Sequence, residues 1–286
     1  MVNWSVYTRR LITLMSLLLA AGVNETALAS SLSLSLDAVL PAEVVKPMVK
    51  ATGYLSNHRP YHGAAPMSGA SLDLGLEATL VHAPDDFSTS SSATGLGSVG
   101  SLPSMPIAKV HIHKGLSPTS DIGISGLYYK GSYIAGVGMK FILHQPEEGP
   151  TWALRLSYST TKVDFAKLSI PSTPLLAAGV SVGSLSIILK TRTIATQVLA
   201  SKKLYFVEPY IGAGLEWITG QIDAVARLNI VSTVYTLSTK SYSSYSLSAF
   251  SGVLFKPGYA GLMLALEGSY NTEGMHYLGI LIGFGF

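Results

Sequence analysis

The chain closes on Leu278, Ile280, Ile282, Phe284 and Phe286, apolar at every second position, with Gly279, Gly283 and Gly285 among the residues between. A period of two with one apolar face is the signature of a strand. Hydrophobic residues make up 48% of the chain and charged ones 12%. Beyond the N-terminus, however, no stretch approaches the roughly 18 uninterrupted apolar residues of a spanning helix. A chain this apolar has to spread its greasy surface over strands, and lipid accepts strands only as a closed barrel. An aromatic final strand fits a barrel inserted in the bacterial outer membrane. Phe284 and Phe286 are then its outward-facing insertion signal, and the outer-membrane assembly machinery is an expected partner.

The N-terminus carries Arg9 and Arg10, then an apolar run from Leu11 to Val23, then Ala27-Leu28-Ala29. Basic, apolar and small residues in that order read as a secretory signal cleaved after Ala29, with export through the periplasm. The chain therefore divides into a signal peptide (1–29), a helical segment with a connector (30–69) and a barrel (70–286). Lys and Arg total 19 against 16 Asp and Glu, and there is no Cys. Near balance argues against a nucleic-acid partner, and the missing thiols exclude disulfides and thiolate metal sites.

Asp37 to Leu55 is the one helical stretch. Asp37 caps it, Pro41 sits in the first turn, and Leu40, Val44, Val45, Met48 and Val49 recur at helical spacing, with an interruption expected at Pro47. Asn57 to Met67, with Pro60, Gly63 and Pro66, reads as a connector. From Ser71 the period becomes two. Strands are expected at Ser71 to Leu80, Ile107 to His113, Ser120 to Tyr129, Tyr133 to His144, Trp152 to Val163, Leu185 to Leu199, Tyr205 to Thr219, Ser243 to Phe255, Tyr259 to Tyr270 and Met275 to Phe286. The fold class is all-β, a transmembrane antiparallel up-and-down barrel of about ten strands behind a short N-terminal α-helix. The first, fifth and seventh connections are long and the even-numbered turns are short, as expected when odd connections face outward. Pro174 to Val182 and Ala224 to Leu237 are apolar where an outer loop should be polar. They read as strand extensions or short rim helices, or else as contacts with lipid or a neighbouring subunit.

Sorting each strand into two faces places Asp73, Glu77, Lys109, His111, His113, Asp121, Lys140, Arg155, Lys190, Arg192, Glu208, Glu216 and Glu267 in the lumen. Both signs of charge in a narrow interior point to salt-bridged filling. A barrel of about ten strands lies well short of the about sixteen that leave a wide aqueous channel, and the preceding helix would narrow it further.

No catalytic site emerges. Lys109, His111 and His113 share one strand face, but no third ligand follows by spacing and Lys109 repels a cation, so neither a metal nor another cofactor is expected. His276 lies near Ser269 in sequence, yet no nucleophile elbow accompanies them. Gly95, Gly97 and Gly100 lack the Lys and following helix of a phosphate loop.

The stretch Pro60-Tyr61-His62-Gly63-Ala64-Ala65-Pro66 leading into Leu72-Asp73-Leu74-Gly75, with His111-Ile112-His113-Lys114-Gly115-Leu116 and Asp121-Ile122-Gly123, resembles a poorly characterised family of outer-membrane barrels that begin with a short helix. That resemblance implies a porin-like protein of the Gram-negative envelope, some members of the family forming homo-oligomeric rings around trapped lipid. The expected function is a non-enzymatic outer-membrane barrel, a homo-oligomer organising subunits and membrane lipid. A narrow channel for ions or small solutes is the alternative, and a lipid-modifying enzyme the third.

Overall fold

A computed structural model describes residues 42–67, 69, 71–82, 104–168, 182–228, 234–257 and 261–286. The signal segment and the expected helix start at Asp37 lie outside the described residues, as does Pro174 to Ser181. Among the described residues one helix, α1 (Ala42–Ser56), carries Pro47 within it and precedes ten strands. These are β1 (Leu72–His82), β2 (Ser104–Ser117), β3 (Ser120–Tyr129), β4 (Ser132–His144), β5 (Thr151–Leu168), β6 (Val182–Ser201), β7 (Val207–Leu228), β8 (Val234–Phe255), β9 (Leu262–Asn271) and β10 (His276–Gly285). Each strand pairs antiparallel with its sequence neighbours, and β1 closes on β10. The seam reaches the last residue: Phe286 N–H donates to Leu72 O at 2.8 Å, and Leu72 N–H donates to Phe286 O at 3.0 Å. Between β3 and β4 the reversal takes two residues, Lys130 (φ 46°) and Gly131 (φ 85°), the left-handed pair that matches strand twist in a tight hairpin.

Along each strand the pleat sends alternate residues inward and outward. Leu76, Ile211, Leu215, Leu264, Ile282 and Phe284 are exposed on the outer wall, while Asp73, Glu77, Glu216 and Glu267 are buried. Apolar outside and charged inside is the transmembrane form of a closed, even-stranded barrel, the form found in the bacterial outer membrane.

The wall is uneven in height. β9 and β10 have 10 residues each, whereas β7 and β8 have 22 each. Spanning a bilayer takes about 9 to 11 strand residues, so the hairpin β7–β8 projects well beyond it. The apolar run from Ala224 to Leu237 belongs largely to this extension: its two ends are strand, in β7 and β8.

α1 lies inside the barrel rather than in the periplasm. Its Val45, Val49, Ala51, Tyr54 and Leu55 form one apolar cluster with inward-facing Ile187 and Leu189 of β6, Ile218 and Ile222 of β7, Val81 of β1, and Met275 and Tyr277. Lys50 forms an ion pair with Glu273 in the β9–β10 turn, which fixes α1 at the end of the barrel bearing the long hairpins. From there residues 57–67 run down through the lumen. Asn57 meets Glu216, Ala64 meets Ser201 beside the short β6–β7 turn, and Met67 meets Asp121 beside the short β2–β3 turn. The chain thus threads its own barrel from one mouth to the other before β1 begins.

Candidate functional site: the threaded lumen

A stretch without regular structure inside a membrane barrel has to find hydrogen bonds for its backbone, since lipid supplies none. The wall provides them. His58 N–H donates to Ser159 Oγ at 2.8 Å, Ala64 N–H to Ser201 Oγ at 2.7 Å and Ala65 N–H to Glu208 Oε1 at 3.0 Å. Lys109 Nζ donates to Asn57 O at 3.0 Å, and Lys140 Nζ to Gly63 O at 3.0 Å and Ala65 O at 2.6 Å. Each of these cations also holds a carboxylate: Lys109 with Glu77 at 3.0 Å and Lys140 with Asp121 at 2.7 Å. Tyr61 is fully buried and donates to Glu77 at 3.2 Å; its oxygen lies 2.7 Å from Thr79 Oγ1. Arg59 donates to the carbonyl of Tyr54 and lays its guanidinium 3.9 Å from the ring centroid of Tyr277. Breaking one partner of such a dry pair strands a charge, so these bridges pin the connector in place.

Four imidazoles meet halfway along the connector. His58 stacks on His111 and His113 at 5.5 and 5.7 Å between ring centroids, and His62 lies 4.6 Å from His113. His111 Nδ1 and His113 Nε2 are 3.3 Å apart, and His111 Nε2 contacts Glu77. Among the described residues no three His, Asp or Glu side chains are arranged to hold a metal ion. His58 Nδ1 and Ser125 Oγ, 2.7 Å apart, make a Ser–His pair. Both are buried, and the ring's other nitrogen has no partner to orient it, unlike a hydrolytic triad.

The expected lumen residues Asp73, Glu77, Lys109, His111, His113, Asp121, Lys140, Arg155, Glu208, Glu216 and Glu267 are all buried inside the barrel. Lys190 and Arg192 are not: both are exposed on the outer face of β6, and Lys190 pairs with Asp223 at 2.7 Å. The inward positions are Ile187, Leu189, Thr191 and Thr193. The reason is α1, which makes the upper lumen apolar and reverses the usual rule of polar residues inward. Phe284 and Phe286 are exposed on the exterior at the seam. Strand alternation does not assign Asn57, His58, Arg59, Tyr61 and His62 to the lumen, although the basic side chains His58, Arg59 and His62 in so short a connector are a signal. Glycines on the wall are another. Gly136 and Gly138 receive the His58 side chain, where an added Cβ would approach His58 Cβ to 2.8 Å and Cδ2 to 2.6 Å, and Gly279 receives the Tyr61 hydroxyl.

No family model matches the chain, and no curated protein matches it. Solved structures that align with it include the attachment invasion locus protein Ail of Yersinia pestis in complex with the heparin analogue sucrose octasulfate. That alignment has 12% identity and a TM-score of 0.35, covering 77% of this chain and 100% of Ail. The outer membrane protease OmpT of Escherichia coli aligns at 9% identity and a TM-score of 0.40, covering 78% of this chain and 98% of OmpT. The translocator domain of the autotransporter NalP of Neisseria meningitidis aligns at 8% identity and a TM-score of 0.41, covering 88% of this chain and 99% of that domain.

Proposed function

We propose that this protein is a sealed, non-enzymatic barrel that works through its bilayer-facing wall, as a homo-oligomer organising subunits and lipid in the outer membrane. One observation carries the reading: α1 and residues 57–67 fill the lumen and are bonded to the wall along its length. A solute path would have to displace them, which leaves the exterior as the working surface. On that exterior a depression of about 680 Å³ crosses β5 to β9, bordered by Trp152, Val198, Ile211 and Tyr270 and floored in part by Gly212, Ala213, Ala249 and Gly268. In a membrane, association gains nothing from apolar burial and depends on close packing over small residues. Such a depression suits a neighbouring subunit or an acyl chain at the boundary.

Native mass spectrometry after gentle extraction tests the proposal. Oligomers carrying phospholipid are expected, and Ala213→Trp or Ala249→Trp, which fill the depression from outside, should shift them towards monomer. A lipid-free monomer in several detergents, with no crosslinked species in cells, would contradict it.

A further inference from the structure

Arg155 of β5 is the anomaly of the lumen. A guanidinium has five N–H donors, and buried polar groups are almost always bonded. Here the side chain is 4% exposed, yet Nε and Nη2 have no hydrogen-bond partner. Nη1 faces Glu267 at 4.0 Å, and the cation otherwise lies against the rings of Phe250 and Tyr210, at 5.5 and 5.7 Å.

Beside it is a small, partly open recess. Gly123 of β3 and Gly138 of β4 open it in the wall, and His58 and His62 of the connector close it, together with His113. A Cβ at Gly123 would lie 3.1 Å from His58 Nε2 and 2.6 Å from His113 Nδ1, so both ring nitrogens converge above that glycine. His58 Nε2 is unbonded, and His62 Nε2 has only the Asp73 carboxylate at 3.6 Å. The recess measures about 20 Å³. Since one water needs about 10 to 15 Å³, a body of about that size fits its inner end. Of the charged side chains lining it, Asp121 is matched by Lys140 at 2.7 Å. Arg155 is left with Nε and Nη2 without an acceptor.

We propose that this recess binds one halide-sized anion, chloride in its natural setting, which bridges Arg155 of the wall to the imidazoles of His58 and His62 and so clasps the connector to the barrel. A cation is disfavoured by the same guanidinium. The anion completes an arrangement in which the wall side chains otherwise already meet the connector.

The test uses the purified full-length barrel in detergent. Its unfolding midpoint is measured in sodium chloride, bromide, gluconate and sulfate at equal ionic strength and pH. Chloride and bromide are expected to raise the midpoint saturably, as a ligand specific to the folded state does, and gluconate and sulfate to leave it unchanged. Arg155→Met should abolish the halide shift, while His58→Gln, which keeps a donor there, should retain part of it. Should Arg155→Met not fold, bromide-soaked crystals of the unaltered protein decide: an anomalous peak beside Arg155 in the recess is expected. Equal midpoints in chloride and gluconate, or water alone in the recess, would overturn the proposal.

Discussion

Glycine on an inward strand face is where this barrel makes room for its own connector. At Gly279 a side chain would overlap the Tyr61 hydroxyl, and at Gly136 it would press on His58. Gly279→Val should therefore push Tyr61 off Thr79 and Glu77 and loosen the connector, seen as faster proteolysis between residues 57 and 67 in folded barrels. Pairing it with Tyr61→Ala should restore protection. The ion pairs make a second residue-scale prediction. Glu77 is buried against Lys109 and accepts from Tyr61. Glu77→Ala should then cost about 3 to 5 kcal/mol in urea unfolding, the expense of an unpaired buried cation. Glu77→Leu combined with Lys109→Met should recover part of that loss, because it strands no charge but leaves Asn57 O and His111 Nε2 without these partners. A Glu77→Ala barrel as stable as the unaltered one would show that the pair is not dry.

At the scale of elements, α1 stands at the mouth that carries the long hairpins, which face outward in barrels of this kind. Lys46 is exposed there. The chain contains no Cys, so Lys46→Cys should react with a membrane-impermeant maleimide in intact cells against an empty background. Labelling only after the outer membrane is permeabilised would place α1 at the other face. The final strand is bonded to β1 through Phe286, and deleting Phe286 should reduce the heat-resistant, membrane-embedded form on gels. The strands were legible in the sequence because each alternates under one rule, set by lipid on one side and the lumen on the other. The ends of β5 to β8 were not legible, because above the bilayer that rule lapses. Lys190 and Arg192 were misplaced for a related reason: α1 makes the inward face of β6 apolar at their level. The connector itself has no period, and its bonds reach far along the chain. Asn57 meets a residue 159 positions away and Ala64 one 137 positions away, a pairing that no local pattern encodes.

The whole molecule is a barrel whose ten strands close on one another by strand-to-strand pairing alone. On the proposed reading the plug within that ring keeps the lumen from conducting. About ten strands enclose too little space for a wide pore, and here α1, residues 57–67 and the buried ion pairs occupy it. Single-channel conductance in planar bilayers, comparing the full chain with a variant lacking residues 42–67, tests the sealed barrel most directly. The full chain should insert without conducting, and the deletion variant should insert and pass small ions. Equal, steady conductance from both would contradict the account and make the protein a channel.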